Sequence, residues 1–480
     1  MLIDKETLRL IFGLKLRSLR EDKSLSLKEL SKKTGLSPSY LNEIEKGKKY
    51  PKSEKIILLA EALDEKYENL ISLELKKEFR VLQNLMDRKI LKALPLDVFG
   101  IPMNTLFEII AEEPDKLSAL VGTILEVARA HNIQIDDIFY ALLRSYIDMN
   151  GNYFLPLEES ATSFRNKHQL NVLKSKEELK NKLVALLKTD FKVTVFEEEL
   201  VHNGRKLSKL MYFILENGKE VHLAQDIDLD EKIFILAREI GYRFLKLENR
   251  PKTSMIVNLD SYDQLNNHFQ ASYFASSLLI PEAELISDCN IWFNDEKWNI
   301  DRLQTILNKY NAPAESVFHR LSQILAGHFG INQLFFLRYE YDIKLERYEI
   351  ARELHLTSLH GPHRIKGNEH YCARWLVSKI TQSMIKSNDQ KMQLGAQRSY
   401  FVDSNQEYLI LGAALKPKPL ATRSTSICLG LLINDELIEK LKFINSKEIS
   451  NFKVGETCER CSLSDCAERR APQDIPIDFF

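Results

Sequence analysis

Apolar residues recur at helical spacing through the first 72 positions. Over 7–20, Leu10, Leu14 and Leu19 mark one face of a first helix. Ser26-Leu27-Lys28-Glu29 has the form of a capping box, in which each polar side chain satisfies an amide left open at the helix start. Leu27 and Leu30 are expected to face inward, and Gly35 to supply the turn, because glycine takes a left-handed conformation at little cost. Ser37-Pro38 predicts a third helix with serine as N-cap and proline at the first helical position. Leu41 and Ile44 form its inner face and Gly47 ends it. A fourth helix follows Pro51 and Ser53, packing Ile57, Ala60 and Leu63, so that residues 5–72 read as five short helices.

Residues 73–164 read as mainly helical, with breaks at Pro95, Pro102 and Pro114. Near Phe191 the period changes to alternation, which predicts short strands at 192–196, 210–215 and 221–223. Helical spacing returns at 231–247, 268–279, 300–310 and 314–329. A second strand-rich region includes 334–341, 400–403, 408–415 and 427–432. The expected fold class is therefore α+β and multidomain, an all-α head followed by a helical connector and two α+β regions. No internal repeat breaks this order.

Composition narrows the class. A chain of 480 residues is too long for one core and suggests about three domains. Its 44% hydrophobic and 28% charged content is that of ordinary globular protein. Asp4, Lys5, Glu6 and Arg9 do not form a secretory leader, and the apolar runs at 409–415 and 427–433 fall short of the ~20 residues of a membrane span. A cytoplasmic location is expected. The net charge of −1 makes the whole chain no polycation, so a nucleic-acid surface requires local asymmetry. Residues 15–55 provide it, with twelve Lys or Arg against six Asp or Glu, an excess of +6.

The segment from Leu25 through Gly35-Leu36-Ser37-Pro38-Ser39-Tyr40-Leu41-Asn42-Glu43-Ile44-Glu45-Lys46-Gly47 resembles the Xre, or lambda-repressor-like, helix-turn-helix family. The resemblance covers about 65 residues and implies that the third helix enters the major groove of double-stranded DNA. Carried over by position, Ser37, Ser39, Tyr40, Asn42 and Glu43 would face the bases, and Asn42 is suited to a bidentate adenine contact. Lys46, Lys48 and Lys49, with Lys52, follow the helix where phosphates would lie. Leu27 stands where many members carry a DNA-touching Gln.

A second resemblance lies further on. Phe234-Ile235-Leu236-Ala237-Arg238-Glu239-Ile240-Gly241-Tyr242 resembles the zinc helix of the ImmA/IrrE metallopeptidase family, and Gln270 to Pro281 its second motif. In active members two His four residues apart bind zinc and the intervening Glu is general base. Here those positions hold Arg238 and Tyr242, the acidic third position is Gln270 with His268 two residues before it, and only Glu239 remains. A guanidinium has no lone pair to give a metal. The expectation is a scaffold or dimerisation domain with no catalytic residues.

Three of six cysteines fall in Cys458-Glu459-Arg460-Cys461-Ser462-Leu463-Ser464-Asp465-Cys466. A C-x2-C-x4-C run sets three soft thiolates on one loop, which suits zinc or an iron–sulfur cluster. A fourth ligand must come from elsewhere; Cys372 is the best candidate, His370 the next, and Cys428 an outside one. Cys289 and Cys428 otherwise read as inert buried thiols.

The order of these parts, with Phe139–Tyr146, Asn152-Tyr153-Phe154 and Cys372-Ala373-Arg374-Trp375, resembles the short-chain fatty acyl-CoA regulators of carbon metabolism. That resemblance implies acyl-CoA as small-molecule effector and a 4Fe–4S cluster on Cys458, Cys461, Cys466 and Cys372. Leu431 stands where many members have another Cys. Arg364, Lys366, Arg374 and Arg398 are basic residues that could meet the phosphates of such an effector, none singled out. The domains expected are a helix-turn-helix head at 1–72, a helical connector at 73–165, a degenerate peptidase-like domain at 166–333 and a ligand- or metal-sensing domain at 334–480. The functional expectation is a non-enzymatic, homodimeric or larger DNA-binding transcriptional regulator modulated by an effector or the cysteine site. The alternatives are a regulator that cleaves a repressor and an antitoxin-type interaction protein.

Overall fold

The computed structural model describes residues 5–73, 100, 105, 114–130, 134–172, 175–202, 205–207, 210–215, 218–254, 259–356, 369–387, 391–415 and 423–473. They divide into two compact units, one of residues 1–142 with 259–263 and one of 143–258 with 264–480. Arg364 and Lys366, and the breaks at Pro95 and Pro102, lie outside the described residues.

The first unit opens with five helices: α1 (Lys5–Asp22), α2 (Leu27–Thr34), α3 (Pro38–Glu45), α4 (Ser53–Ala62) and α5 (Tyr67–Ile71). The capping box at α2 is complete. Glu29 N–H donates to Ser26 Oγ at 3.2 Å, and Ser26 N–H donates to Glu29 Oε2 at 2.7 Å. Gly35 closes α2 at φ 71, where a Cβ would be strained. Phe12, Leu16, Leu30, Leu41, Ile44, Leu59 and Leu63 form the shared core.

One expected core residue is displaced. Ile57 is 48% exposed, whereas Ile56 is 2% exposed and fills the core. The buried face of α4 is Ile56, Leu59, Ala60 and Leu63, an i, i+3, i+4, i+7 set that turns Ile57 outward. α6 (Pro114–Ala130) follows, and α7 (Ile135–Met149) begins in this unit, where Phe139 meets the edge of Tyr262 at a centroid distance of 6.5 Å.

The second unit begins in the latter half of α7. α8 (Leu155–Lys167) is pinned by a buried charge network. Arg320 Nη2 lies 2.7 Å from Glu158 Oε2, and the hydroxyls of Tyr273 and Ser277 donate to the same carboxylate at 2.6 and 2.5 Å. Charges this deep persist only when paired and hydrogen-bonded. α9 (Lys176–Phe191) leads into a small sheet of order β1-β5-β4. Here β1 (Thr194–Glu198) runs parallel to β5 (Glu220–Ala224), and β4 (Tyr212–Ile214) antiparallel to it, with β2 (Val201–His202) and β3 (Arg205–Lys206) as a separate hairpin. α10 (Leu229–Phe244) packs on α9, and α11 (Tyr262–Leu279), α12 (Glu282–Phe293), α13 (Ile300–Lys309) and α14 (Ala314–Phe329) follow.

The last part is a six-stranded sheet of order β11-β8-β9-β10-β6-β7. Its strands are β6 (Leu334–Asp342), β7 (Arg347–His355), β8 (Gln393–Phe401), β9 (Gln406–Ala414), β10 (Arg423–Leu432) and β11 (Ser450–Val454), antiparallel except for β11 beside β8. Between β7 and β8, α15 (Leu376–Ser387) lies against β8 and β9. Room for it comes from two glycines, since a Cβ at Gly395 or Gly412 would sit 2.9 or 3.0 Å from a Leu376 methyl. The strand expected at 400–403 is the end of β8, and 402–403 are already in the turn to β9. The mixed α+β, multidomain class holds. Among the described residues no helix is long and apolar enough to cross a membrane.

Candidate functional site

The open end of α3 is built by its cap. Ser37 Oγ accepts from Tyr40 N–H at 3.2 Å with Pro38 at the first helical position, so the Ser37 hydroxyl serves the helix. Ser39 and Asn42, one turn apart, are exposed, as are Lys48 and Lys49 beyond the helix. Tyr40, Glu43 and Lys46 are half-buried. Glu43 pairs with Lys49 at 2.8 Å, and Lys55 Nζ sits 4.1 Å above the Tyr40 ring. The carboxylate of Glu43 accordingly tethers Lys49, whose pKa it raises first by its hydrogen bond and then by its charge.

Two contacts that set the pose of α3 had little signal in the sequence. Arg20 forms a two-pronged pair with Glu45, Nε to Oε1 at 2.6 Å and Nη2 to Oε2 at 2.9 Å, joining α1 to the end of α3. Gly13 lets the two helices touch backbone to backbone, since a Cβ there would be 2.4 Å from the Ile44 carbonyl oxygen. A lone glycine inside an apolar helical stretch is the only sequence cue for such an approach.

In the peptidase-like part, Arg238 lies over the rings of Tyr212 and Phe234, at 5.3 and 5.7 Å. Tyr242 shares a 2.7 Å hydrogen bond with His268 Nδ1. Burial, then the charges of Arg238 and Arg352, hold His268 well below the usual imidazole pKa. Glu239 is 3% exposed and gripped by two guanidinium groups: Arg250 Nη2 at 3.0 Å from Oε1, its Nη1 on Oε2, and Arg243 on Oε1. A carboxylate so engaged is a brace for two arginines, which agrees with an ion-paired Glu239 on a core helix and adds its partners, Arg243 and Arg250.

The cysteine loop folds onto the segment before α15. Tyr371 bridges to Thr457, Cys372 N–H donates to Glu456 O at 3.2 Å, and Cys458 N–H donates to His370 O at 2.8 Å. Cys372 thereby comes close enough to feel the charges of Cys458 and Cys461, and Cys461 that of Cys466. His370 is turned away to Glu459, its Nδ1 2.7 Å from Oε1. Cys428, in β10, is buried against Tyr339, and burial pushes its thiol up to about 12; Cys289 is likewise buried and raised.

Among the described residues, no three His, Cys, Asp or Glu form a closed metal-holding group. The segment carrying Cys372 and the loop carrying the C-x2-C-x4-C run are joined by backbone hydrogen bonds, and thiolates are donors that suit a bound metal or cluster. Supporting features surround them. Arg470 N–H donates to Cys458 Sγ at 3.4 Å, and the Arg469 guanidinium reaches the carbonyls of Cys461 at 3.1 Å and of Cys458 and Leu463. Gly455 leaves room for sulfur, since a Cβ there would sit 2.7 Å from Cys461 Sγ. Burial pushes the Cys372 thiol up to about 11, a cost that a bound cation would offset.

Of the basic residues considered for an effector, Arg398 is bidentate with Glu407 at 2.8 Å through each nitrogen, while Arg374 reaches the Lys453 carbonyl at 3.5 Å.

Residues 16–70 match the helix-turn-helix family model, and residues 188–322 match that of the IrrE N-terminal-like domain. No curated protein matches the chain. A Mycobacterium tuberculosis transcriptional regulator of known structure is similar at 15% identity and a TM-score of 0.46, over 68% of this chain and 92% of that one. The chain thus carries a helix-turn-helix head and, further on, an IrrE-like domain.

Proposed function

We propose that the chain is a DNA-binding transcriptional regulator that reads sequence through α3. The observation that carries this reading is a capped helix whose Ser39 and Asn42 are open to a partner, in a head with a local excess of +6. Asparagine offers paired donor and acceptor groups for adenine, and the lysines beyond it suit phosphates. A homodimer would present two such helices to half-sites about one helical turn apart. The IrrE-like part acts as a scaffold: Arg238 and Tyr242 cannot replace two histidine ligands, and Glu239 is committed to Arg243 and Arg250. Repressor cleavage has no residue set to support it.

The cysteine site acts as the sensor. Cys458, Cys461, Cys466 and Cys372 would hold the metal or cluster, with Arg469 and Arg470 bracing the loop. When bound, an iron–sulfur cluster supplies one-electron redox chemistry, and zinc a structural clamp. Following the acyl-CoA regulator resemblance, a short-chain acyl-CoA is the effector class. Coupling between such a site and the head is typically worth about 1–3 kcal/mol.

Selection from a randomised duplex pool tests the reading of sequence. The full chain should enrich a two-part site, and Asn42→Ala should lose base preference at one position per half while still binding. A pool that stays random with the native chain would refute it.

A further inference from the structure

Beside the brace at Glu239 lies a cavity of about 560 Å³, between the end of β4 and the C-terminal turn of α10. Arg243, Lys246, Arg250 and Lys252 line it, with Glu248 as the one acid among the lining residues. The buried Glu239 neutralises one guanidinium charge while holding two, so this wall keeps an excess of about two positive charges. Lys246 and Lys252 are exposed and take part in no ion pair among the described residues.

A cation or two at a helix C-terminus is ordinary, because the dipole there is negative. Four are more than that end requires, and Lys252 lies beyond it, on the segment whose carbonyl accepts from Ile214 N–H at 2.8 Å. The remaining walls are apolar or planar: Ile214, Leu215, Leu247 and the Tyr242 ring, over which the Arg250 guanidinium sits at 4.7 Å. The volume is in the range of small-molecule sites, about 300–1,000 Å³.

We infer that this cavity is a binding site for a small dianion, a phosphorylated or dicarboxylate metabolite with an apolar or planar body. Arg243, held by Glu239 and the Gly218 carbonyl, and Arg250, held by Glu239, add fixed positive charge to the wall, and the exposed Lys246 and Lys252 ammonium groups supply donors to its oxygens. The carboxylate that would serve as general base in an active peptidase here positions the arginines of an anion site. This inference is independent of what the head binds.

Titration calorimetry on the full chain at low salt tests it, with pyrophosphate and succinate as separate probes. At least one probe should bind saturably, and Lys246→Gln/Lys252→Gln should weaken that binding roughly tenfold or more. A Lys442→Gln/Lys447→Gln chain, which removes the same two charges outside the cavity, should bind as the native chain does. The tighter probe identifies the headgroup as phosphate or carboxylate. No saturable binding of either probe, or equal binding by the two double variants, would overturn the inference.

Discussion

Cys372 donates its backbone N–H to the carbonyl of Glu456 across 3.2 Å, which ties the start of α15 to the loop bearing Cys458 and Cys461. A residue 86 positions away in sequence thereby becomes a neighbour of the C-x2-C-x4-C run. If these cysteines share a metal, Cys372→Ser and Cys461→Ser should both lose it. Anaerobic purification followed by metal analysis and a visible spectrum reads this. Iron with broad visible absorption identifies a cluster, and zinc alone a structural site. Full metal content in Cys372→Ser would remove Cys372 from the ligand set.

Gly13→Ala should damage the head more than a surface substitution in a helix would. The new methyl would lie 2.4 Å from the Ile44 carbonyl oxygen, so α1 must move away from α3. Overpacking of this kind costs about 1–3 kcal/mol. Urea unfolding of the full chain followed by a probe in the head measures it, and an unchanged midpoint would contradict the close approach.

Breaking the Glu158–Arg320 pair from one side should be severe. Arg320 is fully buried, and Glu158→Gln leaves its charge without a counterion. Loss of one partner of a buried pair costs about 3–5 kcal/mol, whereas Glu158→Gln with Arg320→Met should recover part of that loss. A double-mutant cycle in urea separates the two, and strict additivity would show that the pair is not coupled.

How much of this was readable beforehand depended on whether the signal was local. The head was legible residue by residue because its caps, turn glycine and apolar period lie within a few positions of one another, as Ser26 with Glu29 and Ser37 with Tyr40 do. Even there, Ala60 and Leu63 of the expected α4 face are buried but Ile57 gives way to Ile56, since Ile56, Ile57, Leu58 and Leu59 are all apolar and the period alone is ambiguous. β7 was not anticipated. Its buried Tyr348, Ile350 and Leu354 alternate among charged residues, and a register shift between Arg338 and Tyr339 of β6 interrupts the pairing. An ion-paired Glu239 is the ordinary expectation for a core helix, and Arg243 stands at i+4 to it, but the Arg250 partner was not legible because it lies beyond α10, and no local pattern says where its guanidinium will point.

Stability should fall with mild acid. His319 is half-buried in α14 against the Phe336 ring, with the Gln323 amide at 3.3 Å. Burial, then the charges of Arg352 and Arg320, hold it well below the ordinary pKa. It stays neutral in the folded chain while the unfolded chain takes up a proton below about pH 6.5. Its contribution is therefore complete above that pH and is lost as pH falls, by about 1.4 kcal/mol per pH unit. His268, held down in the same way, adds to the effect. Urea unfolding at pH 7.5 and 5.5 should show a smaller pH dependence in His319→Gln than in the native chain. Equal dependence would place the titration elsewhere.

The central claim is that the head binds DNA through its local positive charge, and a salt titration of duplex binding by the full chain tests it most directly. With about six to ten phosphate contacts, affinity should fall about 10³- to 10⁵-fold between 50 and 200 mM salt. Lys48→Gln should lower the slope of log affinity against log salt by about 1. Affinity for duplex that stays level across that range, or is undetectable even at the low end, would contradict the account and return the head to a protein-interaction role.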